Sequence, residues 1–229
     1  MTDDPLSDDL SNLGLECSED WVPFPVTGMG TGTGPDTGTG TGDVDPAMDP
    51  AMDPAMDLDL DYWAKYQAEE LAERYARDGE RADVRALTRD LKRAAADSRT
   101  RTPLAAFGWY VSGHNAVAAI MELDAIHPDD TVPDVSLAWL TEHMAVREFG
   151  EPDVRRLRLP LGDAVRIRQN FVGEKKRLLG PRPVIRSLFY GVRPEGMRTA
   201  ITLTLSWTEP ILDEPAERMG DDIAGTLSV

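Results

Sequence analysis

The residue types that most often carry out catalysis are sparse in this chain. The sequence has three histidines, and none has a partner at the spacing of a metal site: His114, His127 and His143. Asp129 and Asp130 follow His127 in a predicted turn, where an Asp side chain bonds its own backbone. His143 lies four residues after Trp139 on a predicted helix, which favours a packed structural histidine. We therefore predict no metal-binding residue.

Two carboxylates are the remaining candidates for acid–base chemistry. Glu122 and Asp124 lie on one face of a predicted strand, where paired carboxylates can exchange protons with a substrate. A solvent-facing position explains the same pair without chemistry. We predict no catalytic residue, and an enzyme remains a third interpretation that depends on Glu122, Asp124 and His127.

The glycine-rich segments do not match a nucleotide-binding loop. No window between Thr27 and Gly42 has the G-x-G-x-x-G pattern, and no predicted strand precedes it. The basic loop from Gly173 to Gly180 lacks the Gly-Lys-Ser/Thr ending of a phosphate loop. We expect no cofactor.

The strongest departure from average composition is a basic stretch from Arg155 to Arg198, which holds 12 basic and only three acidic residues. Arg156 and Arg158 share one strand face and Arg166 and Arg168 share another, so neighbouring antiparallel strands are expected to join them into one patch. Such a patch binds phosphate, carboxylate or an acidic partner. Charge balance against acidic helices over the sheet explains it as well. The candidate partner-binding residues are Arg155, Arg156, Arg158, Arg166, Arg168, Lys175, Lys176, Arg177 and Arg186.

The acidic charge is concentrated at the other end of the chain. Of 41 acidic residues, 13 lie in residues 1–57, which contain no Lys or Arg, and the whole chain has a net charge of −17. This segment contains Thr-Gly dipeptides and then three Asp-Pro-Ala-Met repeats, whose composition disfavours a packed core. We predict a disordered, low-complexity acidic tail over residues 1–57. The apolar patch from Trp21 to Val26 either docks on the domain as an extended strand or stays unattached.

The basic stretch is predicted to lie within a single domain that covers residues 58–229. Apolar residues spaced three and four apart predict helices around Ala64 to Tyr75 and Val84 to Ala94, and a shorter one from about Ser136 to Glu148. A closing helix is expected to start at Pro215.

Six apolar or alternating runs predict strands: Leu104 to Val111, Ala116 to Ala125, Val154 to Leu159, Ala164 to Val172, Val184 to Val192, and Thr199 to Trp207. The last run alternates regularly and places Trp207 in the core. Short links between strands imply antiparallel pairing. The predicted fold class is α+β, with an antiparallel six-stranded sheet covered by helices in an α/β/α sandwich.

The closing block of the chain resembles the end of the PsbP-like α/β/α domain family. It comprises Arg-Pro-Val-Ile-Arg-Ser-Leu-Phe-Tyr-Gly-Val at 182–192, Thr-Leu-Thr-Leu-Ser-Trp-Thr-Glu-Pro at 202–210 and Asp-Asp-Ile-Ala-Gly-Thr-Leu at 221–227. That family includes the photosystem extrinsic subunit, the Ran guanine-nucleotide release factor and LpqN-type actinobacterial lipoproteins. The resemblance covers residues 183–229, and residues 104–182 follow only its order of elements. It implies a binding or assembly role and identifies no site residues, and this chain lacks the lipid-attachment box of the lipoprotein branch.

Composition also indicates where the chain acts. It has no secretory signal and no apolar run of the roughly 20 residues needed to span a bilayer. Cys17 is the only cysteine, which excludes an internal disulfide, and we interpret it as an incidental thiol of the tail. A cytoplasmic protein without membrane contact is expected.

The leading hypothesis is a non-enzymatic interaction or assembly module that binds an acidic protein partner, or its own tail, through the basic patch. The alternative is a nucleic-acid or nucleotide-binding protein that uses the same arginines, with Phe171, Phe189 or Tyr190 as stacking groups. The net charge of −17 opposes approach to a polyanion.

Overall fold

The basic stretch belongs to a sheet that helices cover on both sides. The structure is a computed structural model, and it describes residues 10–26, 59–173 and 182–229. The strands are β1 Trp21–Phe24, β2 Ala105–Trp109, β3 Ala119–Ile126, β4 Asp153–Leu159, β5 Gly162–Val172, β6 Val184–Pro194 and β7 Ala200–Trp207. The helices are α1 Leu60–Arg77, α2 Val84–Arg99, α3 Leu137–Met144 and α4 Asp213–Ala224, and a 3₁₀ turn at Pro210–Leu212 precedes α4.

All strand pairs in the described ranges are antiparallel. The order across the sheet is β1-β2-β3-β7-β6-β5-β4, so β1 and β4 are its two edges. Residues 110–118 connect β2 to β3, and Phe107 pairs with Met121. The prediction of an antiparallel α+β sandwich is confirmed.

Helices α1, α2 and α3 begin where side-chain oxygens accept hydrogen bonds from the first free amides. The Asp59 carboxylate accepts from the Asp61 amide at 2.9 Å, and the Asp83 carboxylate accepts from the Ala86 amide at 3.0 Å. Ser136 caps α3 in the same way. α4 begins at Asp213 rather than at Pro215, because Pro215 still lies within the first turn, where its missing N–H has no intrahelical partner to lose.

The sheet has two faces that bury different cores. On the α4 face, the alternate residues of β7 pack with Ile223 and Leu227, and Trp207 is 2% exposed. This confirms the predicted core position of Trp207. On the opposite face, which we call the α3 face, α1 and α2 cover β1 and β2, while α3 places Leu140 against Val165 and Ile167 of β5.

The prediction of six strands is wrong, because Trp21–Phe24 forms a seventh strand. β1 pairs with β2 in the register Trp21 to Trp109, and Trp21, Val22 and Phe24 are all buried. Pro23 is tolerated because β1 is an edge strand. Of the two interpretations of this patch, docking on the domain is the correct one.

Residues 10–26, predicted to belong to the disordered tail, are therefore part of the folded domain. Gly14 forms an antiparallel bridge with Ser228, and the Glu16 amide donates to the Thr226 hydroxyl at 2.9 Å. Cys17 packs against the α4-face core, where burial raises the pKa of its thiol to about 12. It is a structural thiol rather than an incidental one.

Candidate interaction surface

The predicted arginines do not form one patch, because the pleat of the sheet divides them between its two faces. Arg155 lies directly opposite Arg166, whereas Arg156 lies opposite Val165. Since successive residues of a strand point to opposite faces, Arg155, Arg166 and Arg168 share the α4 face, and Arg156 is on the α3 face with Arg158. The expectation that neighbouring strands would join both pairs is wrong.

On the α4 face, Arg166 is buried beneath helix α4. Its side chain is 8% exposed and donates to Asp221 at 2.8 Å and to Glu217 at 3.0 Å. Burial lowers the pKa of this guanidinium, but the hydrogen bonds to the two carboxylates outweigh burial and raise it. Arg166 is therefore a permanent cation held inside the protein by α4.

Arg168 and Arg186 continue the same row of ion pairs. Arg168 donates to Glu217 at 2.9 Å, lies 3.3 Å from Asp213, and has its guanidinium carbon 4.8 Å from the centre of the Trp207 ring. Arg186 lies 3.0 Å from the same Asp213 carboxylate, and its side chain is 18% exposed.

The row also includes two buried aromatic side chains that bond the α4 carboxylates. The Tyr190 hydroxyl donates to Asp221 at 2.5 Å, and the Trp207 indole N–H donates to Asp213 at 2.7 Å. Burial, together with the bond to Asp221, raises the pKa of Tyr190. Three arginines thus meet three carboxylates, and this cluster leaves no net charge for a partner. Charge balance against an acidic helix, one of the two explanations weighed from sequence, describes these three arginines.

The sequence contained a signal for this pairing that the prediction did not use. Asp213, Glu217 and Asp221 are four residues apart, so they lie on one face of α4. A helix that carries a carboxylate row must place it against solvent or cations, and β5 and β6 supply the cations.

The arginines of the edge strand β4 remain exposed. Arg155 donates to Asp153 in its own strand at 2.6 Å, and this bond lowers the pKa of that carboxyl. Arg158 bonds Asp163 at 2.9 Å and also bonds Glu195. These pairs are open to solvent, with Arg155 65% and Arg158 64% exposed, so each contributes little stability and can exchange partners.

Arg156 differs from its neighbours, since it forms no ion pair with any residue in the described ranges. It lies at the rim of a groove of about 520 Å³ between α3 and β4. Its uncharged lining consists of small or short side chains, namely Ala138, Thr141, Ala145, Pro152 and Val154. Two acidic and two basic side chains also line it: Glu142, Glu151, Arg147 and Arg156. Arg147 in the same groove lies 3.4 Å from Glu151.

The other predicted residues of the patch are not placed. Lys175, Lys176 and Arg177 lie outside the described residues. Two of the three side chains predicted to stack on bases are buried. Tyr190 is fully buried, and Phe189 is 5% exposed under α3. Phe171 is partly exposed near the end of β5.

The residues behind the enzyme interpretation are separated by their hydrogen bonds. Glu122 is held by Arg101, whose Nη2 lies 2.7 Å from its carboxylate. Asp124 accepts from the Ala125 amide at 2.8 Å, and partial burial raises the pKa of its carboxyl. His127 lies 2.9 Å from the Thr199 hydroxyl through its Nδ1. Each polar group is bound to a different neighbour rather than to the other two.

The structure agrees with the predicted turn at Asp129 and with the predicted packing of His143. Asp129 accepts hydrogen bonds from the Thr131 and Val132 amides at 2.8 and 2.7 Å, as the turn prediction requires. The His143 ring stacks on Trp139 at 4.2 Å between ring centres.

Among the described residues, no group of three or more His, Cys, Asp or Glu side chains is arranged to hold a metal ion. No helix of the described part is long and apolar enough to cross a membrane.

No protein-family model matches the chain, and no curated protein matches it.

Proposed function

We propose that this chain is a non-enzymatic interaction module that binds an acidic polypeptide segment through the exposed arginines of β4. One observation carries the proposal: β4 is an edge of the sheet, and of its three exposed arginines Arg156 has no carboxylate partner among the described residues. An extended acidic segment beside β4 would meet Arg155 and Arg158 in solvent-exposed pairs that exchange at low cost.

The proposed partner-binding surface is smaller than the patch predicted from the sequence. It excludes Arg166, Arg168 and Arg186, because α4 already neutralises them. Their function is to fix α4 on the sheet. The residues that remain candidates for binding a partner are Arg155, Arg156 and Arg158. Lys175, Lys176 and Arg177 lie outside the described residues.

We further propose that the chain belongs with PsbP-like α/β/α domains and acts in the cytoplasm. The support for the first is the closing block, in which β7 ends at Trp207 and the following Thr-Glu-Pro leads into α4 packed on the same sheet face. The half-buried single thiol of Cys17 is compatible with a reducing compartment.

The test is binding of polyglutamate to full-length protein at low salt, measured by fluorescence anisotropy. Replacing Arg155, Arg156 and Arg158 with Gln removes three exposed charges, and we expect roughly 10-fold weaker binding. The matched control replaces Arg81, Arg85 and Arg89, which are exposed on or just before α2, and removes the same charge.

Equal weakening by both triple variants would show that only net charge matters, and the proposal would then be wrong. Single-stranded DNA in the same assay separates the alternative. Tighter binding of DNA than of polyglutamate, lost only in the β4 variant, would favour nucleic acid.

A further inference from the structure

The Asp-Pro-Ala-Met repeats from Asp45 to Met56 have a property that appears only in an extended chain. In a strand, side chains and backbone groups both alternate with period two. Because the repeat length is four, every Asp and Ala has an odd residue number and every Pro and Met an even one. An extended repeat therefore presents Asp and Ala on one face and Pro and Met on the other.

The same parity sorts the backbone amides. Proline lacks an N–H, and each proline of the repeat falls on the even edge. The odd edge keeps an uninterrupted series of N–H groups from the Asp and Ala residues. Proline is accepted in an edge strand when its missing N–H faces solvent, so this repeat can add to a sheet through its odd edge.

β4 offers the complementary edge. No described residue pairs with its outer side. Side chains of an added strand would alternate between the α3-face groove, with Ala138, Ala145 and Arg156, and the α4 face, where Leu157 is half-buried. On the α4 face, Arg155 is paired with Asp153, and Arg166 and Arg168 are paired with α4. The carboxylates of the repeat therefore belong on the α3 face beside Arg156, which forms no ion pair with a described residue. Asp and Ala are small enough for the groove, and Pro and Met would cover Leu157.

The chain between the described ranges is long enough to reach this edge. Val26 lies two residues after the end of β1, and α1 packs on β1 through the Phe24–Trp63 contact, so both ends of residues 27–58 lie at the β1 side. Six strand spacings of about 4.8 Å separate β1 from β4, or roughly 29 Å. Thirty-two extended residues span about 110 Å, which allows the path out, a strand of seven residues and the return. The segment has six Asp and no basic residue.

We infer that the acidic segment bound at β4 is this chain's own Asp-Pro-Ala-Met repeat, added as an edge strand with its carboxylates beside Arg156. This inference rests on the proposed function and gives its partner a definite identity. A foreign acidic partner would then compete with the repeat, which tethering holds at an effective concentration in the millimolar range.

The test is amide hydrogen exchange of β4 in the full chain, followed by NMR. The variant Ala47→Pro with Ala51→Pro removes two N–H groups from the odd edge. The matched control, Met48→Pro with Met52→Pro, adds the same two prolines on the even edge. Neither changes the charge. A repeat docked nine-tenths of the time slows exchange of the outer β4 amides about tenfold.

We expect the wild type and the Met-to-Pro variant to protect those amides, and the Ala-to-Pro variant to lose the protection and bind polyglutamate more tightly. Arg156→Gln should reduce the protection several-fold, while Glu142→Gln on the other wall of the groove should not. Equally fast exchange in all variants would overturn the inference. Polyglutamate binding that still depends on β4 would in that case leave the proposed function intact, and its loss would remove both.

Discussion

Strand β1 is expected to be essential for stability, although 80 residues separate it along the chain from β2, the strand with which it pairs. Phe24 is 3% exposed, contacts Trp63 edge-to-face at 5.9 Å, and packs with the buried residues of α1 and α2. Truncation of a buried Phe to Ala costs about 3–5 kcal/mol, against a total of about 5–15 kcal/mol for a domain. We expect Phe24→Ala to remove about 3–4 kcal/mol.

The assay is urea unfolding monitored by tryptophan fluorescence. The slope of the free energy against urea should stay constant while the midpoint falls, because the same surface unfolds. A change below about 1 kcal/mol would refute the assignment of β1 to the core.

A complementary variant tests the pairing itself. A Cβ on Gly108 of β2 would lie 2.5 Å from the Phe24 ring, which no real contact tolerates. Gly108→Ala should therefore destabilise the protein, and Phe24→Leu in the same chain should recover part of the loss. Additive effects would show that the two residues do not touch.

The matched deletion concerns the segment that follows β1. Replacing residues 28–57 with a ten-residue Gly-Ser linker removes the docked repeat, at a cost of about 1.4 kcal/mol, and shortens the connection about threefold, which recovers about 1 kcal/mol of closure entropy. The stability should therefore change by less than about 1 kcal/mol. Removal of residues 1–26, in contrast, should unfold it or nearly so. If both deletions were equally harmless, residues 10–26 would not belong to the domain.

Two further predictions follow from buried groups. Arg166→Gln leaves two partly exposed α4 carboxylates without their cation and should cost about 1–3 kcal/mol in urea unfolding, whereas Arg156→Gln should change stability by less than about 0.5 kcal/mol; equal effects would contradict the division of the arginines. Cys17, with its pKa raised to about 12, keeps its proton in the folded state when the unfolded state loses it above about pH 8.5, so its contribution to stability should fall as pH rises from about 8.5 towards 12. Cys17→Ala should flatten that part of the stability profile, and an unchanged profile would contradict it.

Helices and the long strands were predictable because their periodicity is strong. α1 and α2 have apolar residues three and four apart over several turns, and β7 alternates without interruption. For β1 the sequence allows both a docked strand and an unattached segment, because four residues are too few for a period-two pattern to be distinguished from a short apolar run. Pro23 lacks a backbone N–H, and only the edge position of β1 makes it acceptable in a strand.

The basic surface was predictable in composition but not in geometry, and the reason is the length of one turn. β4 and β5 are joined by Pro160 and Leu161 alone, so Leu159 pairs with Gly162 and every odd-numbered residue of one strand lies opposite an even-numbered residue of the other. The pairing of Arg155 with Arg166 follows directly.

A connection of three residues would have placed Arg156 opposite Arg166, and both pairs of arginines would have met on one face. The two-residue turn instead places Arg166 under α4, where three carboxylates neutralise the buried row of arginines. It leaves Arg156 at the groove without an ion pair to any described carboxylate. Gly162 makes this turn possible, since a Cβ there would lie 2.2 Å from the Arg193 carbonyl oxygen. The division between arginines that hold the fold together and arginines left for a partner therefore depends on the register of a single hairpin.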